Sequence, residues 1–388
     1  MTSPQRSGVG LILGLAAVLA CADQPTSPTA APADQTAVKF WDGLASVQWN
    51  KAATDLAALR QVNIFRLYAY LSLAQLRAAE AATAIQPHPP ISAAIGGASA
   101  AVLSSFFPAD VVAIEAALDA QSSAPQWPGS KHAEFAAGEA IGRAIGARVI
   151  AWSAGDGAGL TDPGLPPVGP GNWVSPGTIV RQLLGARPFF LSSGDEFRPA
   201  PPPAFGSPEF LAALAEVRRI SDTRTPQQLQ IALFWNQNQS PFFNGPMNAL
   251  ARDLIVEHHR NDVDAARILF LANAAAFDAI IGCFDAKYHY WFIRPSQADP
   301  GIVTTFPTPA HPSYPSAHSC ISGGMTETLA QAFPRERQRV EALAAEASIS
   351  RVYAGIHYSF DVAAGLRLGR AVAAKAAGMD LDQMAQVP

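Results

Sequence analysis

Charge of either sign is scarce in this sequence, cysteine is rarer still, and nothing in it alternates in the manner of a strand. Charged residues fill 15% of 388 positions against 49% hydrophobic, and the net charge is −4. With a pI near 6.1 the chain has no basic footprint of the kind that binds a phosphate backbone, so no nucleic-acid partner is expected. No internal repeat and no hairpin pattern occurs. No window makes a convincing membrane span. The most apolar, residues 268–284, is interrupted by Asn273 and Asp278 and reads as a buried core helix. Beyond Cys21 there are two cysteines, Cys283 and Cys320, which either pair or sit as two small buried side chains.

What the chain does have is alanine, at helical spacing, between prolines. Residues 1–21 read as a targeting segment: Arg6 supplies the positive end, and a short apolar run ends at Val18-Leu19-Ala20-Cys21. That ending fits a bacterial lipoprotein site with Cys21 lipidated; an ordinary secretory signal is the alternative. The expected location is outside the cytoplasm, periplasmic or at the outer membrane, with membrane contact only through the N-terminal lipid. Residues 22–36 look like a flexible tether. A helical N-terminal region follows at 37–250, with helices expected over 38–59, 60–82 and 130–151. Two more fall between proline breaks at 87–90 and 107–108. Helices resume near Ser207 and Thr225. Within this region, 154–208 is dense in Gly and Pro and is expected to be irregular. The C-terminal region, 251–388, opens with a long helix over 262–292. The expected fold class is all-α, a helical bundle.

Three segments of the C-terminal region carry chemistry. In Lys287-Tyr-His-Tyr-Trp-Phe-Ile-Arg294-Pro295 two cations lie seven apart, on one face of a helix that ends at Arg294 before the proline. A guanidinium suits a tetrahedral oxyanion. In His311-Pro312-Ser313-Tyr314-Pro315-Ser316-Ala317-His318, Ser316 stands at the N-cap of an apolar helical run. Its hydroxyl and the free N–H groups of Ala317 and His318 then form an anion site. In Ser350-Arg351 … His357 … Asp361, the histidine and carboxylate are four apart, neighbours on a helix starting near 357, and the carboxylate fixes the imidazole tautomer.

Each segment alone is weak. Together, as Lys-x6-Arg-Pro, Pro-Ser-x-His and Ser-Arg-x5-His-x3-Asp, they resemble the superfamily uniting type 2 phosphatidic acid phosphatases, bacterial class A acid phosphatases and vanadium-dependent haloperoxidases. The resemblance implies a bundle of the acid phosphatase/vanadium haloperoxidase type. It implies that Lys287, Arg294, Ser316, Ala317 and Arg351 bind vanadate or phosphate, that His318 is the acid–base, and that Asp361 orients His357. His357 is then the vanadium ligand of a haloperoxidase or the nucleophile of a phosphatase. Ala317 stands where most members carry glycine; the N–H survives, and the methyl is expected either to tighten the pocket or to shift the backbone.

Within the superfamily, Gly171-Asn-Trp173, Arg187-Pro-Phe-Phe-Leu191, Phe197-Arg-Pro199 and Arg224 … Trp235 resemble the N-terminal region of bacterial haloperoxidase-like proteins. His311, five residues before Ser316, resembles the second histidine of bromo- and iodoperoxidases; as a halide or supporting residue it competes with a simple packing role. The expectation is therefore a vanadate-containing haloperoxidase acting on peroxide and halide. The alternative is a cofactor-free phosphatase acting on phosphomonoesters through a phosphohistidine. A non-catalytic oxyanion-binding lipoprotein is the third reading.

Overall fold

The computed structural model describes residues 44–60, 62–123, 132–237 and 244–381. Among them lie thirteen α-helices and no strand; one isolated bridge joins Asn172 to Phe292. The N-terminal helices are α1 (Ala45–Leu59), α2 (Ile64–Ala84), α3 (Ile91–Phe106), α4 (Val111–Ser122) and α5 (His132–Ser153). After a long irregular stretch come α6 (Pro208–Thr223), α7 (Pro226–Gln237) and α8 (Asn244–Glu257). The last group is α9 (Asp262–Tyr290), the single turn α10 (Pro295–Ala298), α11 (Ala317–Ala332), α12 (Arg337–Tyr353) and α13 (Ser359–Ala377). The leader, Cys21, the tether and Ser130 fall outside the described residues.

The axis of the bundle is α9. The Asn261 side chain accepts from the Asp264 N–H at 2.8 Å, and Asp262 and Asp264 sit in the first turn, where the helix dipole favours them. Twenty-one of its 29 residues are buried. A helix apolar on every side must be enclosed, and α2, α11 and α13 pack around this one. It is the one described helix long and apolar enough to span a bilayer, and 89% of that window lies inside the protein. The polar interruptions seen in the sequence are both satisfied. Asn273 exchanges hydrogen bonds with Asn248, and Asp278 accepts the N–H groups of Phe189, Phe190 and Leu191 at 2.9, 2.7 and 3.0 Å. The irregular 154–208 stretch is thereby pinned to the central helix.

Where α11 crosses α13 the backbones touch. A Cβ on Gly369 would lie 2.0 Å from the Cys320 carbonyl oxygen, and one on Gly365 would lie 2.6 Å from that of Ser316. Only glycine permits this approach, which sets the start of α11 against the start of α13. Cys283 and Cys320 face each other across α9 and α11 as buried free thiols, so the unpaired alternative holds.

Two boundaries differ from expectation. The helix sought over 60–82 begins at Ile64, because the Asn63 side chain caps it at the Arg66 N–H (3.2 Å). The helix sought over 262–292 stops at Tyr290, because Trp291 takes a left-handed backbone, φ +48°, and its N–H closes on the Lys287 carbonyl.

Replacing Asp278 with Asn removes one acceptor oxygen and leaves a buried N–H of the 189–191 turn unpaired. The expected loss is roughly 1–3 kcal/mol in denaturant unfolding; an unchanged midpoint would show that the pinning contributes nothing.

Candidate active site

At the entrance to α13, His357 and Tyr358 precede the helix, and Asp361 is its third residue. The Asp361 Oδ2 accepts from His357 Nδ1 at 2.7 Å, from Ser313 Oγ at 2.6 Å and from the Tyr358 N–H at 3.2 Å. The pair expected as helical neighbours is thus formed by a capping turn, since the helix starts at Ser359 and not at His357. With Nδ1–H committed to the carboxylate, Nε2 keeps its lone pair, and the Arg294 guanidinium donates to it from Nη1 at 2.9 Å. Burial, reinforced by Arg294 and Lys287, holds the His357 imidazole well below its usual 6.5, so it is neutral. Burial pushes Asp361 up to about 6, against the pull of Ser313, Lys287 and Arg294.

Lys287 and Arg294 do not share a helix face, as the spacing had suggested. Lys287 lies in the last turn of α9, while Arg294 follows an extended segment beyond it. There the Trp173 N–H bonds the Trp291 carbonyl (2.7 Å), the Ile293 N–H bonds the Gly171 carbonyl (3.0 Å), and the two indoles stack. The chain turns at Trp291, and Arg294 enters from the other side. Its Nη1 reaches the Ile356 carbonyl (2.7 Å), and Nε and Nη2 reach the His311 carbonyl (3.2 and 2.9 Å). Lys287 gives all three ammonium protons to backbone carbonyls, those of Pro312, Ser313 and Pro315, at 2.8, 2.9 and 2.6 Å. Burial lowers it to about 8 and lowers Arg294 to about 10. The expected anion clamp is, in this arrangement, a clamp on the loop that carries Ser316.

Two donors are left open. Ser316 caps α11, but its side chain makes no capping bond; its N–H goes to the Asp361 carbonyl (3.0 Å), and its buried Oγ has no partner. Arg351, in the last turn of α12, uses Nε on Ser350 Oγ (3.0 Å) and Nη2 on the Ala232 carbonyl (3.2 Å), leaving Nη1 buried and unpartnered. Burial, then Arg294, lowers its guanidinium to about 9. The Ala317 and His318 N–H groups open α11, where no intrahelical acceptor exists. Nε2 of His318 faces the Trp235 carbonyl at 3.3 Å, and burial followed by Arg351 keeps the ring neutral.

Ala317, His318, Arg351, His357 and His311 line one cavity of about 230 Å³. Arg294 lies fully buried behind it, touching His311 and His357, and Ser316 adjoins it through Ala317. The His311 ring rests on Phe284, centroids 5.2 Å apart. His311 Nδ1 meets both a donor, Arg294 Nη2 at 3.1 Å, and an acceptor, the Pro312 carbonyl at 3.2 Å. Burial and the nearby cations keep this imidazole neutral too.

Three buried cations, Lys287, Arg294 and Arg351, therefore face one carboxylate and three neutral imidazoles. Uncompensated buried charge is costly. A tetrahedral oxyanion matches both the positive surplus and the open donors, Ser316 Oγ and Arg351 Nη1. Several contributors were not identified from sequence. Ser313 could have been: Pro312-Ser313 repeats Pro315-Ser316 three residues later. The carbonyls of Ala232 and Trp235 carry no side-chain signal at all.

The neutral histidines set a pH dependence. The unfolded chain takes up protons at His311, His318 and His357 near 6.5, and the folded chain does not. Stability should therefore fall as pH drops from about 7.5 to about 5.5. Asp361 and Asp278, both raised to about 6, oppose this by binding protons in the folded state, but two carboxyls do not offset three imidazoles. Phosphate or vanadate at a hundred times its Kd should add about 2.7 kcal/mol. Thermal melts across that range, with and without the anion, check both; a midpoint that rises on acidification or ignores the anion would contradict the charge balance.

Residues 266–382 match the model of the PAP2 superfamily. No curated protein matches the chain. Among solved structures, a bacterial vanadium-dependent iodoperoxidase is similar with a TM-score of 0.69 and 22% identity, over 88% of this chain and 96% of that one. A bacterial vanadium-dependent chloroperoxidase is similar in its apo form (TM-score 0.66, 14% identity, 84% and 93% coverage) and its holo form (0.62, 13%, 92% and 96%). Residues 266–382 thus match the PAP2 superfamily model, and the chain as a whole has a helical fold similar to that of bacterial vanadium-dependent haloperoxidases.

Proposed function

We propose that this chain is a haloperoxidase of the vanadium-dependent type, oxidising halide with hydrogen peroxide at vanadate held by His357. One observation carries the reading: a neutral imidazole, its Nδ1–H fixed on Asp361 and its Nε2 lone pair held by Arg294 Nη1 at 2.9 Å, borders a cavity shared with Arg351, whose Nη1 has no partner, while the unpartnered Ser316 Oγ lies buried beside Ala317. The likeness to solved haloperoxidases along most of the chain supports the choice within the superfamily.

The residues present fit vanadate. His357 would supply the nitrogen ligand. Ser316, Arg351 and the N–H groups of Ala317 and His318 would hold the oxygens, and Arg294 and Lys287 would balance their charge. His318, neutral and lining the cavity, would take a proton from the incoming peroxide and give it to the departing hydroxide, which leaves as water. When bound, vanadate supplies the Lewis-acid activation of peroxide. The leader-like residues 1–21 support a location outside the cytoplasm, with Cys21 as a lipid anchor or, in the alternative, an ordinary secretory signal. The same Nε2 lone pair could attack phosphorus, so hydrolysis of phosphomonoesters is the second reading; binding without turnover is the third.

Two assays decide: vanadate-loaded protein with peroxide and iodide or bromide, and vanadate-free protein with p-nitrophenyl phosphate. Halide oxidation is the expected outcome, and turnover of the phosphoester alone would overturn it. His357→Ala should abolish vanadate retention and turnover. His318→Ala should retain the anion but lose turnover by roughly 10²–10⁴-fold. Arg351→Ala should weaken anion binding by roughly 1.5–3 kcal/mol. Full activity in His357→Ala would exclude both chemistries.

A further inference from the structure

Beside the cavity lies a pair of nucleophiles that the chemistry above does not use. Cys283 on α9 and Cys320 on α11 are fully buried free thiols. Helix packing sets them opposite each other. A Cβ on Gly324 would lie 3.1 Å from the Ala275 carbonyl oxygen and 3.5 Å from the Ala279 Cβ. One turn back along α11 stands Cys320, and one turn on from Ala279 along α9 stands Cys283. The two antiparallel helices thus bring the thiols within hydrogen-bonding reach of each other. Cys283 Sγ also meets the Pro315 carbonyl at 3.7 Å, the same oxygen that Lys287 holds at 2.6 Å. Cys320 stands in the first turn of α11, where its N–H bonds the Ser316 carbonyl (3.0 Å). The pair therefore joins the central helix to the junction from which the open N–H groups of Ala317 and His318 project. Its neighbours border open space: Ile280 and Phe284 on α9, and Ala317 and Ile321 on α11, all line the cavity.

A single buried thiol is inert, but a second one in contact with it can capture the first product of oxidation. Resting on the peroxide chemistry read above, we propose that Cys283 and Cys320 form an oxidation site for hydrogen peroxide, a dithiol whose conversion to a disulfide weakens anion binding. The Cys283 sulfur attacks one peroxide oxygen; the O–O bond breaks, and the other oxygen leaves as water with the thiol proton. The Cys320 sulfur then attacks the Cys283 sulfenic acid; the S–S bond forms, the S–O bond breaks, and a second water leaves with the Cys320 proton. Two electrons pass from the two sulfurs to one peroxide. Burial raises the Cys283 thiol, but contact with Cys320, then Lys287 and Arg294, outweigh it and hold that thiol below its usual range, while burial drives Cys320 well above. Cys283 is accordingly the sulfur that reacts first. The disulfide has no S–H for the Pro315 carbonyl, and it ties the first turn of α11 to α9. On the other side that turn has no slack, because the Cys320 carbonyl is wedged where a Cβ on Gly369 would lie 2.0 Å away. The strain falls on the N–H groups of Ala317 and His318.

The test takes the full chain, reduced with dithiothreitol and freed of it, and adds hydrogen peroxide without vanadate or halide. Mass spectrometry should find the Cys283 and Cys320 peptides cross-linked, two hydrogens lighter than the separate pair and released by dithiothreitol; assignment by peptide keeps Cys21 out of the measurement. Phosphate affinity of the oxidised protein should fall roughly two- to tenfold, the worth of one neutral hydrogen bond, and return on reduction. Cys320→Ser leaves Cys283 without its partner, so peroxide should leave a sulfenic acid there that dimedone traps, whereas Cys283→Ser should give none at Cys320. Thiols that survive peroxide unchanged, or a disulfide that leaves phosphate affinity unaltered, would overturn the proposal. Halide oxidation by a protein whose thiols resist peroxide would sink this inference and leave the function standing. A disulfide that forms and weakens phosphate binding in a protein with no halide oxidation would sink the function and leave the oxidation site.

Discussion

A buried ammonium holds the active loop together. Lys287 sits fully buried at the end of the central helix, and its charge is balanced against three carbonyls of one loop, 312–315, rather than against a carboxylate. Charge-assisted hydrogen bonds are about twice as strong as neutral ones, and three of them offset much of the cost of burying the cation. The loop so held places Ser313 on Asp361, Ser316 at the head of α11 and His311 against Arg294. Loss of the ammonium would take the charged donor from three buried carbonyls and free the loop from which these side chains project.

The second constraint is electrostatic and follows from the first. Arg294 and Arg351 add positive charge to the same buried volume, and Asp361 is the one carboxylate in contact with the histidine chain. Neighbouring imidazoles cannot protonate there. That keeps Nε2 of His357 unprotonated, a ligand or nucleophile once Arg294 Nη1 withdraws from it, and it keeps His318 able to accept a proton. The positive surplus that makes the unliganded site costly is the same surplus that selects a multiply charged tetrahedral anion. Arg294 illustrates the trade: its contact with His357 Nε2 occupies the position an anion would take.

The N-terminal half contributes support more than chemistry. Gly171 and Trp173 pair with the segment that delivers Arg294. Arg198 forms an ion pair with Asp285, and the carbonyls of Pro199 and Ala200 accept from Tyr290 and Tyr314, which flank the two signature segments. The carbonyls of Ala232 and Trp235, in α7, hold Arg351 and His318. Phe65, from the second helix, closes the cavity. The irregular stretch 154–208 is therefore the strap that binds the bundle to its site, and Asp278 is its anchor.

The sequence by itself determined the fold class, the irregular stretch and the identity of the residues that converge. Alanine-rich helical spacing, proline breaks and three short signatures are local features, readable without knowing what lies opposite. It also marked Asn273 and Asp278 as reasons to see α9 as a core helix, which their buried partners explain. What only the tertiary structure decided is direction. Spacing put Lys287 and Arg294 on one helix face, but the left-handed turn at Trp291 sends them to different partners, because that turn is fixed by pairing with Gly171 and Trp173 more than a hundred residues away. Nor could spacing reveal which donors stay open. Hydrogen bonds from Lys287 and Arg294 to backbone carbonyls involve acceptors that every residue carries, so no pattern of side chains announces them, and only the folded chain leaves Ser316 Oγ and Arg351 Nη1 unanswered.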